Sequence, residues 1–175
     1  MVLRPQDVLI VLALVARGSE AFAAFGDLAA QTGVSAGEVH KSLKRAEAAG
    51  LYRGQTREVE REPLLEFLTH GVRYAFPAVH GPLVRGVPTG VAAPPLADVF
   101  DGAALPPDLT PVWPSPTGTR RGYTVDPLYR TAPAVAERDP ALYELLALTD
   151  ALREGRARER SEAHRALLPR LLHSS

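Results

Sequence analysis

Four side chains able to bond a nucleic acid, His40, Lys41, Lys44 and Arg45, fall with small Ala36 and Gly37 on one outward edge of residues 36–49. They remain once Val39, Leu43 and Ala46, spaced i, i+4 and i+7, are assigned to the buried stripe of a helix. Lysine and arginine at this spacing suit phosphate oxygens and guanine edges. Ala36 and Gly37 let the start of a helix sit close to base edges, and His40 suits bases or phosphates. The expected base contacts are therefore Ser35, Ala36, Gly37, His40 and Lys41, with Lys44, Arg45, Arg53 and Arg57 holding the backbone. The plain alternative is a solvated basic face on a packing module.

The surrounding elements favour a reader of nucleic acid. Leu28, Ala29 and Thr32 recur at helical spacing, with small Ala29 where two helices must approach. Gly33 supplies a turn that tolerates positive φ. Val34 plugs the core beneath it. Ser35 with Glu38 three residues on spells a capping box for the next helix. Gly50-Leu51-Tyr52 closes that helix with a C-cap glycine and an apolar return. Together these make a helix-turn-helix over Phe25 to Tyr52, in which one helix enters the major groove and another braces it.

A preceding helix starts at Pro5, a favourable first-turn residue, and carries Val8, Leu9, Leu12 and Val15 inward, with Ile10, Val11 and Leu14 widening the stripe. Phe22 and Phe25 are expected to close the core from the connection. Helix 2 is placed at about 26–32 and helix 3 at about 36–49. Arg53 to Val59 has room for a truncated hairpin only, so the head reads as winged helix-like with a minimal wing or as a plain helix-turn-helix. A helix over about 62–75 follows, with Leu64, Leu65, Leu68, Val72 and Phe76 on one side, Phe67 and Tyr74 broadening it, and His70-Gly71 softening its middle.

Thirteen of the sixteen prolines lie between Pro77 and Pro140, a density that no long helix survives. Phe100, Trp113, Tyr123 and Tyr129 punctuate the same stretch, which sets it apart from a disordered linker. It reads as an ordered, largely extended arm lying on its own domain or on a partner. Residues 121–125 are the best strand, and 96–100 a single helical turn. Trp113 and Tyr123 read as anchors of the arm, with a small-molecule pocket as the variant. Asp139-Pro140 opens the first of two closing helices, Gly155 breaks it, and a charged helix follows from Arg156.

The fold class expected is mainly α. An N-terminal (winged) helix-turn-helix domain spans 1–60, a connecting helix 61–76, the Pro-rich arm 77–138 and C-terminal helices 139–175.

The net charge is zero, which argues against indiscriminate binding to nucleic acid, but it is unevenly spread. Residues 1–57 hold seven Lys/Arg against five Asp/Glu; 58–150 hold seven against twelve; 151–175 hold six against three. Basic ends thus flank an acidic middle. There is no cysteine, so disulfides, thiolate metal sites and thiol catalysis are excluded. The apolar run from Val8 to Ala16 is far shorter than a membrane span. As a signal peptide it is spoiled by Pro5 and Asp7 in front and Arg17, Ser19 and Glu20 behind. A cytoplasmic chain is expected. The five histidines lack metal-ligand spacing, and neither a phosphate-binding loop nor a nucleophile elbow occurs. Neither an enzyme nor a cofactor is expected.

Leu28-Ala29, Gly33-Val34-Ser35, Val39, Leu43 and the Ala-Ala-Gly-Leu exit resemble the winged helix-turn-helix heads of small bacterial regulators, including the MarR-like group. The resemblance covers residues 1–60, about a third of the chain. It implies a DNA-binding transcription regulator, expected as a homodimer on an inverted repeat of double-stranded DNA. Two alternatives stand beside it. One is an antitoxin-type autoregulator that binds a partner protein through residues 77–138. The other is an adaptor whose winged helix binds protein.

Overall fold

The computed structural model describes residues 1–18 and 24–173. It is 61% helix and 14% strand, so helix packing sets the architecture and the sheets are local. Two helices form its centre. α1 (Pro5–Arg17) is apolar on every side, and Val8 to Val15 are all buried. α8 (Pro140–Glu154) is buried along nearly its whole length, from Leu142 to Arg153. The two pack on each other, which explains why the apolar stripe of α1 is wider than one neighbour requires.

α2 (Phe25–Thr32) and α3 (Ala36–Ala48) cover one side of α1. Leu28, Val34, Val39, Leu43, Ala46 and Leu51 are buried there, as their spacing predicts. Phe22 lies outside the described residues. Phe25 does not close the core: it is 41% exposed, and its ring lies against that of His40, with centroids 5.2 Å apart. A short antiparallel hairpin follows, β1 (Tyr52–Arg53) and β2 (Glu58–Val59), in the place expected for a minimal wing.

α4 (Arg61–Glu66) continues through a π-helical turn (Phe67–Gly71) into α5 (Val72–Ala75). The turn falls where His70-Gly71 weakens the helix, and a Cβ at Gly71 would press on the Phe67 ring at 2.9 Å. Leu64, Leu65, Leu68 and Val72 face inward, against α9 (Ala157–Leu172) and α8. Tyr74 does not broaden this stripe; it is 76% exposed.

The largest departure from the sequence reading is the Pro-rich region. It is not an extended arm. β3 (His80–Pro88), β4 (Pro111–Pro114) and β5 (Arg120–Val125) pair each with each, β3 antiparallel to both others and β4 parallel to β5. The three close into a ring. Glycine makes closure so tight possible: a Cβ at Gly86 or Gly122 would collide with the backbone carbonyl of Trp113 or Thr110. Short helical turns and α6 (Leu96–Phe100) bridge the strands, and α7 (Ala132–Arg138) leads into α8. Prolines fall mostly at strand ends and between elements, where no ladder hydrogen bond is lost. Trp113 is turned inward and buried beside Tyr143 of α8 (ring centroids 5.9 Å), so the aromatics serve the chain's own core.

One buried carboxylate fastens the sheet to α8. Asp150 accepts hydrogen bonds from Trp113 Nε1, Thr89 Oγ1 and Arg153 Nη1, each at 2.7 Å. Arg153 in turn donates to the carbonyls of Phe76 and Asp126. Burial pushes the Asp150 carboxyl up, against the Arg153 charge and the three donors that pull it down. No helix among the described residues is long and apolar enough to cross a membrane.

Candidate nucleic-acid interface

α3 is positioned by its start. Gly33 takes the left-handed conformation (φ 75°, ψ 8°) and its N–H returns to the Ala29 carbonyl, ending α2 and turning the chain. Ser35 then caps α3 by accepting from the Glu38 N–H at 3.3 Å. The capping box is only half made. Glu38 does not reach back to Ser35; its carboxylate takes Gln6 Nε2 and Lys41 Nζ, both at 3.0 Å. Those bonds to Lys41 and Gln6 hold its pKa below the usual carboxylate value.

Thr131, just ahead of α7, braces the turn from behind. Its hydroxyl donates to the Thr32 carbonyl at 2.6 Å, and its methyl lies where a Cβ on Gly33 would stand. Gln31 donates to Asp139, and Arg138 to the Gln31 carbonyl. Residues about a hundred positions further along the chain therefore hold the end of α2 and the turn into α3.

Ser35, Ala36, Gly37, His40, Lys41 and Lys44 all lie on the exposed side of α3. Arg45 does not. It is buried, and its guanidinium forms a two-pronged pair with Asp7 of α1: Nε to Oδ2 and Nη2 to Oδ1, both 2.8 Å. Ser42 and the Arg4 N–H complete the cluster. The hydrogen bonds to Asp7 raise the pKa of Arg45. The expectation of a backbone contact at Arg45 is thus corrected: one turn of a 3.6-residue helix carries it past the outward edge to the seam with α1, where Asp7 neutralises it.

A recess of about 150 Å³ opens between α3 and the hairpin, lined by Phe25, His40, Leu43, Lys44, Glu47 and Arg57 among others. It gathers three of the expected contacts from two elements. Arg57 reaches it at the hairpin with φ 60°. Arg53 is not part of the recess; it pairs with Glu60 across the hairpin base. Sequence reasoning took Glu38 as a capping partner only and missed Glu47 on this edge. Glu38 ties down Lys41, and Glu47 accepts from the Gly54 N–H at 3.0 Å, pinning the hairpin to α3. Both were visible as outward positions of the same helix.

Among the described residues, no group of three or more His, Asp or Glu side chains is placed to hold a metal ion. Comparison of the chain with protein-family models, with curated proteins and with solved structures yields no match.

Proposed function

We propose that this chain is a sequence-specific DNA-binding regulator of the bacterial cytoplasm. In this reading residues 1–60 form a winged helix-turn-helix head, and α3 reads the major groove. A second copy supplies the other half-site of an inverted repeat. The observation that carries the reading is the edge of α3. Ser35, Ala36, Gly37, His40, Lys41 and Lys44 are exposed together on a helix set by a left-handed glycine turn, and Arg57 joins His40 and Lys44 at the flanking hairpin. Small residues at the helix start and cations along it match base edges and phosphates respectively.

A protein-binding adaptor is the second reading. It is favoured by Glu38 and Glu47 on the same edge and by the zero net charge. The antitoxin reading drew on an extended arm, and Trp113 of that region packs on Tyr143 of α8 instead.

Fluorescence anisotropy separates the first two. The protein is titrated against its own upstream DNA and a scrambled duplex at two salt concentrations. Tighter binding to the upstream DNA that persists at the higher salt is the expected result. Equal weak binding to both duplexes, or none, overturns the DNA reading and leaves the adaptor.

A further inference from the structure

A cleft of about 530 Å³ lies between the three-strand ring, α6 and the junction of α8 with α9, away from α3. Its size is that of a small-molecule site. Val91, Phe100, Leu105 and Leu109 give it apolar lining. A fixed carboxylate also opens on it. Glu154, the last residue of α8, has a side chain only 6% exposed, and it reaches the cleft beneath Tyr123 and His80. The Tyr123 hydroxyl donates to both its oxygens, at 3.0 and 2.9 Å, and His80 Nε2 sits 2.8 Å from Oε2. The Tyr123 and His80 rings meet edge to face, centroids 5.2 Å apart.

Two features set the chemistry of an occupant. The first is charge: Asp108, Glu154 and Glu159 line the cleft, against Arg156 and the half-exposed His80. The second is acceptor capacity. An ionised carboxylate offers about four lone-pair sites. Tyr123 and one imidazole nitrogen leave Oε1 able to take another donor, while Tyr123 prevents the group from swinging away. A buried carboxylate beneath apolar and aromatic walls favours a cation with an apolar body over a neutral or anionic analogue. We infer that this cleft binds a small organic amine, its ammonium group donating to Glu154 and its apolar body lying against Phe100, Leu105 and Leu109.

Burial supports the assignment, since it lifts the Glu154 carboxyl to about 7, so that an arriving ammonium holds it ionised. The inference is independent of what α3 binds.

The test is isothermal titration of the full chain with phenylbutylamine, phenylbutanol and phenylbutyrate, at a pH near 7.5 where the primary ammonium stays charged. The amine is expected to bind at least about tenfold tighter than the alcohol, and the butyrate more weakly than either. Glu154→Gln should bring the amine down to the level of the alcohol. Leu109→Lys puts a cation at the rim, on a side chain already 49% exposed; it should weaken the amine by a larger factor than the alcohol. Equal binding of alcohol and amine, preference for the butyrate, absence of heat from all three at millimolar concentration, or an amine affinity unchanged in both variants overturns the proposal.

Discussion

Arg45 gives both prongs of its guanidinium to Asp7, a carboxylate with no exposed surface, and the pair joins the start of α1 to the last turn of α3. Removing one member of a buried pair strands the other charge, which costs about 3–5 kcal/mol. Asp7→Ala is therefore expected to lower the urea unfolding free energy by that order. Arg45→Ala should destabilise too, without changing the salt dependence of any DNA binding. Lys44 behaves oppositely. It is exposed on α3, so Lys44→Ala should leave stability within about 0.5 kcal/mol. In anisotropy titrations it should weaken binding to all duplexes and reduce the salt slope by about one. His40→Ala, in the same assay, should alter sequence preference. Glu154 adds a pH effect with a definite sign. Its carboxyl titrates at about 7 in the fold against 4.5 as a free side chain. Between those values the folded chain holds the extra proton, so this group's contribution favours the fold at low pH and is lost as pH rises through that window. The loss between pH 5 and pH 8 is about 2–3 kcal/mol for the wild type. Urea midpoints measured on Glu154→Gln at the two pH values should lack it.

Among the elements, the helices follow from local rules and the ring of strands does not. The first helix begins at Pro5, α8 begins at Pro140 under an Asp139 cap that accepts from the Leu142 N–H, and Gly155 ends α8. Each is a signal confined to a few residues. The strand expected at 121–125 forms over 120–125, and the turn of helix expected at 96–100 forms there. The pairing of β3 with both partners is different in kind. It joins His80 to Val125 and Val87 to Trp113, and no local pattern encodes which strands meet. Its trace in the sequence is indirect: glycines at 86 and 122, where strands approach too closely for a Cβ. Gly86→Ala should consequently cost about 1–3 kcal/mol or more, as overpacking does. Loss of near-ultraviolet circular dichroism from Trp113, with the helical signal retained, is the expected observation.

At the scale of the whole molecule, one hydrophobic core runs from α1 through α8 to α9 and includes Trp113 of the ring. Residues 1–76 alone would expose the side of α1 that α8 covers, along with the faces of α4 and α5 that meet α8 and α9. That fragment is expected to aggregate or to melt without a cooperative transition, whereas the full chain unfolds in one step followed by circular dichroism. The sequence by itself determined the helices outside the Pro-rich stretch, the turn at Gly33 and the inward set of Leu28, Val34, Val39, Leu43 and Leu51, because helical periodicity and capping act over a few residues; it did not anticipate α7. It also placed His40, Lys41 and Lys44 outside, since they fill the gaps of that same pattern. Only the tertiary structure decided that Arg45 belongs to Asp7, that the Pro-rich stretch closes into a ring on α8, and that His80, Tyr123 and Glu154 share one cleft. These depend on contacts between residues tens of positions apart. A charged residue near the edge of a helical stripe is read correctly only when the neighbouring helix is known, and prolines forbid a helix without saying which strand lies beside which.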